Sequence, residues 1–162
     1  MNFTQKSLTN VRNNIGKYII KTPVFRFDFI DNLCGCNVIF KCENFQHTGS
    51  FKYRAALNAI KNIPSEYKSR GVITHSSGNF AHALSKASNE LNIPCHIVMP
   101  NNTPEFKKSS VKLYTDNIFE CEANLKSREL MTKKILKDKN LYFIHPSNNT
   151  DVILGNSTCT LE

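Results

Sequence analysis

The chain is 162 residues long, 40% hydrophobic and 21% charged, with a formal net charge of +8. A chain of this size and balance buries a core without staples or metals, and no apolar run in it approaches the roughly 20 residues of a membrane-spanning helix. Composition thus excludes a disordered tail, a disulfide-held miniprotein and a helical membrane protein.

Taken in chain order, Met1-Asn2-Phe3-Thr4-Gln5-Lys6 has no apolar core of the secretory kind, which predicts a cytoplasmic protein with no membrane contact. An amphipathic stretch follows around Leu8, Val11 and Ile15, then an extended Thr22-Pro23-Val24. Cysteines stand at 34, 36, 42, 95, 121 and 159. In a reducing compartment they are expected as small apolar residues, and Cys34-Gly35-Cys36 is only half of a metal clip, so no metal site is predicted. Asn-x-Ser/Thr begins at Asn2, Asn101, Asn148 and Asn156. In a cytosolic chain these sequons are accidents of an Asn-rich sequence.

From residue 37 short apolar runs alternate with longer helical stretches. Strands are predicted at 37–42, 71–74, 94–99, 117–121 and 141–144, and helices at 50–62, 79–92, 104–114 and 126–138. Thr103-Pro104-Glu105 reads as an N-cap, a first-turn proline and an early acid. Residues 154–162 read as the opening of a further helix. The succession predicts an α/β fold: a mostly parallel sheet with helices on both faces.

In such a sheet, ligands bind where loops leave the C-terminal ends of the strands. Two loops stand out, Glu43 to Ser50 ahead of Phe51 and Lys52, and His75-Ser76-Ser77-Gly78-Asn79. A first-turn lysine feels the positive end of the helix dipole, and if also desolvated its amine becomes neutral and nucleophilic toward a carbonyl. Most lysines in such places are ordinary surface residues. The Ser/Gly/Asn loop offers hydroxyls, a permissive glycine and free backbone N–H groups to a carboxylate or phosphate, although many such loops only cap a helix. An amine that captures carbonyls beside an anion cradle is what amino-acid chemistry through an aldehyde cofactor requires.

Residues 41–58, Lys41-Cys42-Glu43-Asn44-Phe45-Gln46-His47-Thr48-Gly49-Ser50-Phe51-Lys52-Tyr53-Arg54-Ala55-Ala56-Leu57-Asn58, resemble the cofactor-lysine segment of fold-type II pyridoxal-phosphate enzymes. The serine racemase and threonine dehydratase branch is the most similar. Thr74-His75-Ser76-Ser77-Gly78-Asn79 resembles its substrate-carboxylate loop, and His145-Pro146 with Asp151-Val152-Ile153-Leu154-Gly155 a later landmark. The resemblance implies that Lys52 binds pyridoxal phosphate as a Schiff base and acts on one face of the substrate Cα, with Ser77 on the other. It implies that Ser76, Ser77, Gly78 and Asn79 hold the substrate carboxylate, that Asn79 also bonds the cofactor ring hydroxyl, and that Phe51 packs beside the ring. Phe80, Ala55 and His82 depart from the usual His, Gly and Gln. The chain has no Gly-Gly pair, so the family's phosphate loop is expected to be missing, along with its divalent-cation ligands.

By the same resemblance, residues 71–148 are a complete small domain, 1–70 part of a larger one, and 149–162 the start of its remainder. The implied activity is racemisation of serine and β-elimination to pyruvate and ammonia. The alternatives are a threonine ammonia-lyase, or a non-catalytic truncated remnant. Divalent cation and ATP are family effectors whose residues are not assignable in this chain, and a homodimer follows by resemblance alone. Residues 1–75 hold 11 Lys/Arg against 4 Asp/Glu, but without a basic run or interleaved aromatics, so no nucleic-acid partner is predicted.

Overall fold

The structure is a computed structural model that describes residues 3–162; Met1 and the sequon at Asn2 lie outside the described residues. Helix α1, Gln5–Ile15, opens on a reciprocal cap in which Thr4 accepts from the Ser7 amide and Ser7 from the Thr4 amide. Ile15 is fully buried. Strand β1, Val24–Phe25, leads to α2, Asp28–Cys34, which the apolar pattern does not predict. Its signals are local: Asp28 and Asp31 in the first turn, and Gly35 in the left-handed conformation just past the end. Asp31 then accepts from the Val38 amide and pairs with Arg26, which together lower its carboxyl pKa.

Strand β2, Phe40–Lys41, is far shorter than the predicted 37–42 and pairs antiparallel with β1 in a separate two-stranded ribbon. The main sheet contains β3 Val72–His75, β4 Cys95–Pro100, β5 Ile118–Cys121 and β6 Tyr142–Phe143 in the order β5-β4-β3-β6. All three pairings are parallel, with Val72 opposite Cys95 and Tyr142, and Ile97 opposite Ile118. The expected α/β architecture is present.

Four helices have the predicted places: α3 Lys52–Lys61, α4 Asn79–Glu90, α5 Glu105–Lys112 and α6 Leu125–Lys139. Val72, Ile97 and Met99 pack with α3, α4 and Val111 of α5, while Ile73 and Val98 pack with Ile135 of α6, so the sheet is covered on both faces. Burial on both faces is why these strands read as continuous apolar runs. Thr103 is not the cap of α5. Pro104 occupies that position, and the Thr103 hydroxyl turns back to donate to Pro100 O at 2.7 Å.

The last helix, α7 Thr150–Ser157, starts earlier than expected, with Asn149 accepting from the Val152 amide at 3.1 Å. Residues 154–162 are therefore the end of a helix and a 3-10 turn rather than a helix opening. Helix α7 lies against α3 at van der Waals limits. A Cβ added at Gly155 would stand 2.6 Å from Arg54 O and 2.7 Å from Ala55 Cα, so only glycine allows the approach. The six cysteines are free thiols; Cys95 is fully enclosed and burial pushes its pKa up to about 12.

Candidate functional site

The first loop leaves β2 through two single-turn 3-10 segments, Glu43–Phe45 and His47–Gly49. Gln46 pins it from a buried position: its Oε1 accepts from the Ile20 amide at 3.1 Å, and its Nε2 donates to Ile20 O at 2.8 Å. Thr48 and Gly49 follow with φ of 63° and 68°, a left-handed pair that turns the chain toward Ser50. For Thr48, β-branched, this conformation is strained.

Lys52 is the first residue of α3, with Phe51 just outside the helix at its N-cap position. The Lys52 ammonium lies 4.7 Å from the Phe51 ring centroid, and no ion pair to it is formed among the described residues. Burial lowers its pKa. The cause is desolvation.

The second loop leaves the C-terminal end of β3. The Ser76 amide donates to Val98 O at 3.1 Å, and its hydroxyl accepts from the Gly78 amide at 3.4 Å. Gly78 caps α4 in an extended conformation with no side-chain cap bond. The first N–H groups of the helix, on Asn79 and Phe80, are thus of the kind an α-helix leaves without intrahelical partners. Space is open where a Gly78 side chain would stand. Ser76, Ser77 and Gly78 are half-buried and Asn79 is exposed.

The expectation that both loops leave one edge of one sheet is corrected, because β2 belongs to the ribbon and β3 to the main sheet. Helix packing associates them instead. Helix α3 and the 47–49 turn both pack on α4. The His47 ring meets Tyr53 edge-on at 5.0 Å, the buried Tyr53 hydroxyl donates to Glu90 of α4, and Lys86 pairs with Glu90 at 2.6 Å.

The departures from the family pattern each have a place. Phe80 is buried in the core between helices and sheet, so its ring is directed inward. Ala55 is fully buried and fits because Gly155 has no side chain against it. His82 stacks on Tyr114 at 5.8 Å, and burial, then Lys86, lower its pKa.

Sequence reasoning gave His75 no role of its own and did not single out Arg128. His75, at the end of β3, has its Nδ1 buried without a partner, and so has Arg128 Nε near the start of α6. Burial, then the charges of Arg128 and His145, lower the His75 pKa. The rings of His75, Phe143 and His145 lie within 5.4 to 6.0 Å of one another and line a cavity of about 310 Å³ with Glu129, Thr132 and Leu136. A single Arg in a Lys-rich helix gives no periodic or motif signal. Among the described residues no group of three or more His, Cys, Asp or Glu side chains converges as a metal site would need, and no helix is long and apolar enough to cross a membrane.

An aldehyde cofactor bearing a phosphate and a ring hydroxyl fits what is present. Lys52 supplies a desolvated amine, and the Thr48 and Ser50 hydroxyls, four and two residues before it, are buried with no hydrogen-bond partner. Unpaired buried hydroxyls are costly unless a ligand or water satisfies them. The uncapped helix start at Gly78 supplies donors for an anion.

A parallel α/β unit, an unpaired amine at a helix start and an uncapped Ser-Ser-Gly-Asn turn are features compatible with a pyridoxal-phosphate enzyme. Residues 15–162 match the pyridoxal-phosphate dependent enzyme family, and the chain belongs to it. It is similar to the serine racemase of Dictyostelium discoideum, 42% identical over 98% of this chain and 49% of the relative. The crystal structure of that protein superimposes with a TM-score of 0.91, covering 98% of this chain and 52% of that one. The β-hydroxyaspartate dehydratase of Paracoccus denitrificans is 40% identical over 98% of this chain and 50% of the relative. A solved maize serine racemase is 39% identical with a TM-score of 0.91, covering 96% of this chain and 47% of that one. The chain therefore spans about half the length of the relatives it matches, and its fold is that of fold-type II pyridoxal-phosphate enzymes, threonine deaminase among them.

Proposed function

We propose that the chain carries the lysine-bearing and carboxylate-binding part of a pyridoxal-phosphate-dependent enzyme that racemises serine and eliminates water from it to give pyruvate and ammonia. The observation that carries this reading is Lys52, an unpaired amine whose pKa burial lowers, in a loop with two unsatisfied hydroxyls. Pyridoxal phosphate supplies the aldehyde and the electron sink when bound.

In this reading Lys52 holds the cofactor and moves the Cα proton on one face of the substrate, and Ser77 serves the opposite face. Ser76, Ser77, Gly78 and Asn79 hold the substrate carboxylate, with the N–H groups at the start of α4 as further donors. Asn79 orients the cofactor ring hydroxyl, and Phe51 covers the ring and excludes water. Residues 71–148 act as the small domain, with 1–70 and 149–162 contributed to a larger one. Cytoplasmic location, homodimerisation and effects of divalent cation or ATP belong to the same proposal, with no residues assigned to the effectors.

A test is to incubate the protein with pyridoxal phosphate, reduce with borohydride and map the adduct by mass spectrometry. Selective labelling of Lys52, lost in Lys52→Ala, is expected. Labelling scattered over surface lysines and unchanged in that variant overturns the reading in favour of a non-catalytic remnant. Turnover of serine against threonine then separates the racemase from a threonine ammonia-lyase. A second reading has its own support: the unpartnered Arg128 Nε, whose charge acts on His75, suits a second carboxylate, as on the substrate named for the Paracoccus relative. Faster turnover of β-hydroxyaspartate than of serine, abolished by Arg128→Met, would favour it.

A further inference from the structure

Two residues beyond Lys52, Arg54 is fully buried and its guanidinium is gripped by two carboxylates. Its Nε and Nη2 donate to Glu43 at 2.9 and 2.8 Å, and its Nη1 and Nη2 donate to Glu162 at 2.9 and 3.0 Å. Glu43 also accepts from the Thr22 hydroxyl at 2.7 Å, and Glu162 pairs with Lys41 at 2.9 Å. Burial raises the Glu162 carboxyl, but bonds from Arg54 and Lys41 outweigh it and hold its pKa down at about 2.

The placement of these bonds matters more than their number. Glu43 opens the loop that carries Thr48, Ser50 and Lys52, and Arg54 closes it, so the two-point bridge ties the base of that loop. Glu162 adds a second fastening through α7, which lies antiparallel along α3. Asn58 and Asn62 bond Asp151 at the far end, each at 2.9 Å, Gly155 meets the Arg54 backbone, and Glu162 meets the Arg54 side chain. A buried ion cluster adds little net stability over apolar packing, but a planar fork between two carboxylates allows one geometry.

We infer that Arg54, held by Glu43 and Glu162, is a positioning residue for Lys52: it fixes the base of the 43–54 loop and the first turn of α3, and so keeps the Lys52 amine in its half-buried place. The inference rests on the reading of Lys52 as the reactive amine. The titratable and charged groups on elements packed about this turn are His47, Lys86 and Glu90 on one side and Lys41, Glu43, Glu162 and Arg12 on the other, Arg12 pairing with Glu162 at 3.4 Å. Each set contains its own ion pair, which leaves burial as the influence on Lys52.

The test needs no cofactor. Competitive labelling of the full chain with limiting acetic anhydride from neutral to alkaline pH, read peptide by peptide, gives the titration midpoint of Lys52 against the other lysines. In folded Arg54→Lys, which keeps the charge and loses the fork, the Lys52 midpoint is expected to rise toward that of the ordinary lysines in the same digest, with the others unmoved. A merely structural Arg54 would lower the melting temperature and leave that midpoint in place, which overturns the inference. Should Arg54→Lys not fold, Glu43→Gln, altered at a partly exposed side chain, decides by the same midpoint. If the midpoint moves as expected while pyridoxal phosphate fails to label Lys52, positioning stands and the enzymatic reading falls. Selective labelling of Lys52 with an unmoved midpoint upholds the enzymatic reading and overturns the positioning role.

Discussion

The main sheet and the N-terminal ribbon are built from the same kinds of residue and end in opposite conditions. Val72, Ile73, Ile97 and Val98 are fully buried because helices cover both faces of their sheet. Val24, Phe25 and Phe40 of the ribbon are 46%, 45% and 41% exposed, beside Phe29 and Leu33 of α2 at 75% and 74%. Phe27 joins them, with its ring 6.1 Å from Phe25 and 6.0 Å from Phe40. A strand buries its side chains only where another layer meets it, and two strands alone make a marginal sheet. Apolar content therefore measures what a segment could bury, while the layers around it decide what it does bury.

The contrast can be broken by mutation. Ile97→Ala, in the centre of the covered sheet, should cost about 3–4 kcal/mol in a denaturant titration, from lost burial plus a cavity. Gly155→Ala should cost about 2–3 kcal/mol, since the added methyl meets backbone of α3 that cannot turn aside. Phe29→Ser should change stability by less than about 0.5 kcal/mol and reduce self-association in light scattering, because the ring is already in water. A ribbon that proved as sensitive as the sheet would mean that its apolar face is covered in solution.

Acid sharpens the same contrast through the charges that fasten Lys52's helix. The folded-state pKa of Glu162 lies below its ordinary value, so its contribution to stability is complete above about 4.5 and is lost as pH falls toward about 2. His75 acts at higher pH: its pKa is lowered, so the unfolded chain binds more protons below about 6.5 and stability declines as that range is entered from above. Melting temperatures should fall in two stages on acidification. Glu162→Gln should weaken the lower stage, which Asp31 and Glu90 share, and His75→Asn the upper one, which His82 and His96 share.

Much of the fold was legible because it rests on local signals. Helices α3, α4, α5 and α6 lie within two residues of their predicted bounds, where apolar spacing and turn residues agree. Helix α2 escaped because its exposed Phe29 and Leu33 broke the amphipathic pattern that marks a buried face. In the site, the Lys52 and Ser76–Asn79 segments were visible as motifs. The chemical setting of Lys52 was not: its lowered pKa comes from burial, and its support from Glu43, Arg54 and Glu162, residues up to 108 positions from Arg54 in the chain.

By itself the sequence determined the α/β alternation, the family resemblance, and which lysine and which serine–asparagine loop carry its motifs, since periodicity and short-range patterns are written in neighbouring residues. Only the tertiary structure decided that β2 leaves the parallel sheet, that α3 rather than a shared sheet edge links the two loops through α4, and that Arg54 is enclosed by carboxylates from distant parts of the chain. Strand partners, burial and ion pairs depend on which distant segments meet, and that is settled by packing of layers rather than by any local run of residues.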